Sequence, residues 1–153
     1  MGDIQKLEWD STHDEIEISN LLNVEKGLGI KFPEDFVKCA IKNHGGYPDL
    51  DTFDFENHEG AVFNRLLSFN EQKKTFILNV FQAIKDRLLD GIYPFASDPF
   101  GNYLCFDYRK GKDKSPIVVY WDHEEAFENP DTAIHVVCDT FSELLSKLYK
   151  SEE

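Results

Sequence analysis

The chain has 153 residues, of which 29% are charged and 41% hydrophobic, and its formal net charge is -13 at pH 7. That length predicts one domain over 1–153 that buries about 70% of its unfolded surface without a disulfide or metal staple. The charge opposes binding to nucleic acid or anionic lipid. No apolar run reaches the roughly 18 residues of a membrane span, and no basic stretch leading into an apolar one opens the chain, so a cytoplasmic protein is expected.

Residues 1–12 are polar apart from residues such as Leu7 and Trp9. Thr12 and Glu15 have capping-box spacing, and Ile18, Leu21, Leu22, Val24 and Leu28 predict a helix to about Gly27. A second helix is fully punctuated. Pro33 suits its first turn, Glu34 and Asp35 fit the dipole at its start, and Gly45-Gly46 stops it. Phe36, Val37, Ala40, Ile41 and His44 share its apolar face, with His44 read as a cation at the helix end. Thr52–Phe55 and Ala61–Phe69 read as short strands around a turn at Asn57–Gly60.

From Asn70 as cap to Gly91 as stop, Phe76, Ile77, Val80, Phe81, Ile84 and Leu88 form the stripe of a long helix. Three β runs follow at Ile92–Ser97, Tyr103–Arg109 and Pro116–His123, joined by connections short enough for an antiparallel meander. Residues 122–131 read as an acidic loop and Ile134–Cys138 as another short strand. Thr140 and Glu143 then cap a helix whose face is Phe141, Leu144, Leu145, Leu148 and Tyr149. Helical blocks around an antiparallel sheet make the fold class α+β.

Two blocks of this pattern resemble a known family. The first is Leu28-Gly29-Ile30, then Phe32-Pro33-Glu34-Asp35-Phe36, then Asn43-His44-Gly45-Gly46. The second is Tyr93-Pro94-Phe95-Ala96-Ser97-Asp98, a Gly101-Asn102 turn, Tyr103 to Asp107 and Pro116 to Trp121. Their order and spacing resemble the SUKH superfamily, which includes fungal regulators of cell-wall synthesis and bacterial immunity proteins that neutralise polymorphic toxins. The resemblance implies a central sheet, a closing amphipathic helix and a protein-binding function.

No catalytic constellation is evident, and no enzyme is expected. Asp98, Asp107 and Asp122 lie near strand ends, where they either pair as carboxylates or form turns, and Asp98 before Pro99 suits a turn. The five histidines include no metal-binding pair, and the three cysteines, Cys39, Cys105 and Cys138, are too widely spaced for a zinc site or a disulfide framework. No metal and no cofactor is expected. The basic turn Lys110–Lys114 lacks interleaved aromatics and reads as a solvated hairpin tip.

The acidity is uneven: residues 1–60 carry 14 acids against 5 bases. It serves solubility alone or draws in basic partners. Asp49, Asp51, Asp54, Glu56 and Glu59 form one acidic stretch. Asp122, Glu124, Glu125, Glu128 and Asp131 form a second, with Trp121 and Phe127 as aromatic anchors. With the resemblance, these residues are the candidate contacts for a cognate toxin with a basic surface, a nuclease being the type that the charge favours. The alternative is a regulatory or scaffolding interaction domain with a host partner.

Overall fold

The computed structural model describes residues 7–151. In chain order its elements are β1 (Trp9–Asp10), α1 (Ile18–Leu28), α2 (Glu34–Asn43), β2 (Tyr47–Pro48), β3 (Thr52–Phe55), β4 (His58–Val62), β5 (Arg65–Leu66), α3 (Ile77–Ile84), β6 (Ile92–Ser97), β7 (Tyr103–Asp107), β8 (Ile117–Trp121), α4 (His123–Glu128), β9 (Ile134–Cys138) and α5 (Phe141–Lys147). Short connections produce the expected meander: β5 to β9 form one five-stranded sheet in sequence order, with every neighbouring pair antiparallel. The fold is a single α+β domain. Two further antiparallel pairs, the long-range pair of β1 with β2 and the hairpin of β3 with β4, complete it.

Period-2 alternation gives the sheet its two faces. Leu104 pairs with Tyr120 and Phe106 with Val118, placing all four on one face. There α2 and α5 pack through aromatic rings. Phe36 lies 5.1 Å from Phe106, 5.6 Å from Phe95 and 5.2 Å from Phe141, while Phe95 stacks on Phe106 at 4.2 Å. All four rings are buried. Burial of such rings supplies most of the apolar driving force, with an added gain for each edge-to-face pair.

The structure corrects several element boundaries. The first helix begins at Ile18, and Asn20 Oδ1 accepts the Glu17 N–H, so Thr12 and Glu15 are not its capping box. Residues 13–16 instead run along the end of α2, where the His13 and Ile16 N–H groups reach the carbonyls of His44 and Ile41. They satisfy acceptors that a helix end leaves open. The long helix is likewise shortened to Ile77–Ile84, followed by a 3-10 turn at Lys85–Arg87. Residues 69–76 loop back instead, because Ser68 bonds Thr75 and Ile77 through its backbone.

The strand expected at Ala61–Phe69 is divided. The hairpin turns at Glu56, which holds φ 48, and its second strand ends at Val62. Phe63 then bonds the Asp51 carbonyl and Asn64 the Ser97 carbonyl, which hands the chain over to the five-stranded sheet at β5. Residues 122–131 are not a plain loop. Asp122 Oδ1 accepts the N–H groups of Glu124 and Glu125, caps α4 and thereby starts a helix of six residues. The last helix stops at Lys147, and Tyr149 pairs in antiparallel fashion with Thr52 of β3.

His44 lies on the buried face as expected but departs from its expected role as a cation. Its ring is fully buried, Nδ1 accepts the Phe69 N–H at 2.9 Å, and Nε2 donates to the Asp14 carbonyl at 2.7 Å. Those two bonds require a neutral ring with the proton on Nε2. His13 sits beside it, with Nδ1 2.7 Å from Ser68 Oγ and Nε2 3.3 Å from the Arg65 guanidinium, which also donates to the Gly45 carbonyl. Gly45 is required here twice over. Its φ is +78°, and a Cβ would lie 2.4 Å from His13 Nδ1.

Burial lowers the pKa of both rings, and for His13 the neighbouring His44, Arg65 and Lys73 add to the effect. The unfolded chain therefore binds more protons than the folded one below about pH 6.5. The stability present above that value falls as pH descends from there toward the lowered folded pKa values, and levels off below them. Urea midpoints measured between about pH 7.5 and 5.5 are expected to decline on acidification. His13→Gln is expected to flatten that decline, and an unchanged slope would remove His13 from the account.

Candidate functional site

Strand alternation along β8 and β9 brings the two acidic segments together. Tyr120 pairs with His135, so both point to the face that β3 and β4 cover. The Phe55 ring lies 4.9 Å from Tyr120 and stacks on His58 at 5.0 Å. From there Glu56 reaches across to β9: its Oε2 is 3.4 Å from His135 Nδ1, and its Oε1 accepts the Val136 N–H. On its other side His135 Nε2 is 3.0 Å from Glu125 Oε1 of α4. One imidazole thus lies between the hairpin turn and the acidic helix, and in its protonated form it clasps them by donating to a carboxylate on each side.

Around the clasp Phe55, Glu56, His58, Tyr120, Asp122 and Glu125 line a cavity of about 270 Å³. Glu56, Asp122 and Glu125 are the predicted residues that meet here. Glu124, Phe127 and Glu128 project from the rest of α4, and Asp131 is exposed in the 3-10 turn that follows. Phe127 is 81% exposed, which is unusual for a phenylalanine. Glu59 lies exposed on β4. Asp54 is held on β3 by Tyr149 Oη and the Gly60 N–H, whose bonds keep its carboxyl below the usual range.

The other predicted residues are elsewhere. Asp49 accepts the Glu8 and Leu50 N–H groups beside β1 and β2, and Asp51 accepts the Thr52 hydroxyl. Trp121 is a correction: it is fully buried, with Arg87 over its ring and Nε1 3.4 Å from the Arg87 carbonyl. Its side chain offers nothing to a partner. A different aromatic is exposed near α4. Phe100, 72% exposed, sits in the turn whose Gly101 lies against His123. Sequence reasoning passed over Phe100, His58, Tyr120 and His135. The Pro99-Phe100-Gly101 turn was a usable signal for the first, and strand alternation for the last two.

Asp107 does not pair with either of the other two suggested carboxylates. Asp98 lies at one end of the meander, Asp107 stands opposite Ile92 and Ile117 at the other, and Asp122 caps α4. Asp98 acts as the expected turn former. Its Oδ1 accepts the N–H groups of Phe100 and Asn102, while Oδ2 accepts from Asn102 Nδ2 and Tyr120 Oη. Asn102 Oδ1 in turn accepts from the backbone and Nδ1 of His123. This buried network fixes the start of α4 relative to the sheet. Asp107 is tied to the Arg109 guanidinium by a bond of 2.8 Å.

The thiols are chemically quiet. Burial pushes Cys39 up to about 11 and Cys138 up to about 12, and holds Cys105 well above the ordinary range. Among the described residues no three His, Cys, Asp or Glu side chains are grouped to hold a metal, and no helix is long and apolar enough to cross a membrane. The site therefore offers carboxylates, half-covered aromatics and imidazoles on a rigid support. Such a surface can bind and orient a partner.

Comparison with known proteins covers most of the chain. Residues 18–145 match the family SUKH_6, described as SMI1-KNR4 cell-wall. A 63-residue stretch is 33% identical to the SPbeta prophage-derived uncharacterized protein YokK of Bacillus subtilis (strain 168), covering 41% of this chain and 29% of that protein. The matched stretch is thus under a third of the relative's length.

His135→Ala is expected to release the hairpin turn from α4. Amide exchange at residues 54–59 should quicken, while the global unfolding free energy drops by less than about 1 kcal/mol, because both glutamates are partly exposed. Unaltered exchange in that segment would show that the clasp does not hold it.

Proposed function

Because the chain belongs to the SUKH_6 family, described as SMI1-KNR4 cell-wall, we propose that it is an immunity protein that binds a cognate protein toxin and blocks it by occlusion. Many members of the wider superfamily neutralise toxins, and the prophage derivation of the Bacillus relative sits well with such a role. The observation that carries the reading is the clasp. It joins Glu56 of the hairpin to Glu125 of α4, so acids from the two separate segments share one surface.

A chain of net charge -13 with that surface suits a toxin whose own active face is basic, as a nuclease's must be to hold a phosphate backbone. Charge complementarity speeds the encounter, and exposed Phe127 and Phe100 supply the apolar contact that slows release. Blocking requires no turnover, so no catalytic group is needed. The second reading, a regulatory domain with a host partner, is favoured by the cell-wall wording of the family description.

Co-expression with a toxin encoded beside the gene is expected to keep cells alive, and death at the rate seen without this protein would sink the reading for that pair. In purified form, Glu124→Lys combined with Glu128→Lys should slow association about tenfold at low salt and flatten its salt dependence. Unchanged kinetics would place the contact on another face.

A further inference from the structure

Basic residues are scarce in this chain, yet the structure gathers several of them. Tyr108 Oη donates to the Lys31 carbonyl, which ties the β7–β8 connection to the link between α1 and α2. Lys112 then shares a cleft with Lys26 and Lys31. On the other side of the same connection, Arg109, Lys110 and Lys114 rim a groove of about 440 Å³ whose floor includes Ile117 and Val136. The basic turn is therefore one edge of a wider cationic surface, not an isolated tip. Of the nearby acids, Asp107 binds Arg109 and Glu25 Oε2 accepts the Phe32 N–H, which leaves Asp113 as the acid within the turn itself, against Lys110, Lys112 and Lys114.

Val136 is 47% exposed, and it points away from the His135 face because neighbouring strand residues alternate. The groove is thus an apolar floor inside a cationic rim, on the side of the sheet opposite the clasp. The chain itself carries the complementary shape. Phe127 stands 81% exposed on α4, and Glu124 and Glu128 are exposed on the same short helix. It is an apolar knob with an anionic collar.

We propose that the groove under the β7–β8 connection receives the Phe127 knob of a second copy of this chain. Charge complementarity favours this occupant: on a chain of net charge -13, copies repel one another overall, and the cationic groove is a place where an acidic helix is attracted. Knob and groove are different surfaces, so copies join head-to-tail, in an open or ring-closed assembly, or exchange knobs reciprocally in a two-fold dimer. It buries Phe127, an apolar part of the surface assigned above to the toxin, so self-association and toxin binding compete. The self-contact stands without that assignment, and its test contains no toxin.

The test is sedimentation velocity on the full chain at rising concentration. Species larger than one chain are expected to grow with concentration and to shrink at high salt. Phe127→Ser removes the knob, and Lys110→Glu combined with Lys114→Glu closes the groove, so each variant alone should stay monomeric. Mixed together, one intact knob meets one intact groove, and a dimer that grows no further should appear. Wild-type protein that remains monomeric, variants that still assemble, or a mixture that stays monomeric would each overturn the proposal. Circular dichroism of both variants matching the wild type excludes misfolding as the cause of a lost contact.

Discussion

Everything in this fold depends on Phe36. Its ring touches those of Phe32, Phe69, Phe95, Phe106 and Phe141, which come from the α1–α2 link, the loop after β5, the sheet and the last helix. One side chain on α2 therefore sets the distance between helices and sheet. The punctuation of α2 serves that contact. Pro33 begins the helix and His44-Gly45 ends it, so Phe36 is presented from a rod of fixed length and orientation. Phe36→Ala would cost about 4 kcal/mol in a site with no room to collapse, and the loss would spread to four separate elements.

The polar interior follows a parallel logic. Among the described residues no buried side-chain nitrogen or oxygen lacks a partner. Two networks achieve this. His13, His44, Ser68 and Arg65 lock the chain before α1 to the end of α2, and Asp98, Asn102, Tyr120 and His123 lock α4 to the sheet. Each ring nitrogen in the first network has one sensible protonation state, because a donor or acceptor faces it from a known side. Buried networks satisfied to this degree rigidify what they join. The acidic surface is carried on such a support, which lowers the ordering cost of any partner that lands there.

Legibility in the sequence followed distance along the chain. α2 and the meander were plain because their signals are local: a proline, a double glycine, and alternating apolar residues over five or six positions. The acidic helix α4 was missed because six residues are too few to show a period of 3.6, although Asp122 ahead of two glutamates was a cap signal. Trp121 looked like a surface anchor until Arg87, brought over by a 3-10 turn, covered it. The clasp was beyond reach, since nothing near His135 announces that Glu56 will arrive from another strand pair. The acidic stretches were visible one at a time, and their meeting was not.

The pairing of Thr52 with Tyr149 carries a consequence for how the chain comes off the ribosome. Thr52 and Tyr149 exchange both backbone bonds, at 2.9 and 2.8 Å, and Tyr149 Oη holds Asp54 at 2.7 Å. The outer edge of β3 is therefore completed by a residue synthesised almost a hundred positions later. Until Tyr149 has been made, that edge of β3 has no partner at Thr52 and Asp54 lacks its hydroxyl donor. The closed edge therefore joins a local hairpin to a residue far along the chain. A chain cut before Tyr149 would thus carry the acidic sequence without the bonds that close the edge of β3 and hold Asp54.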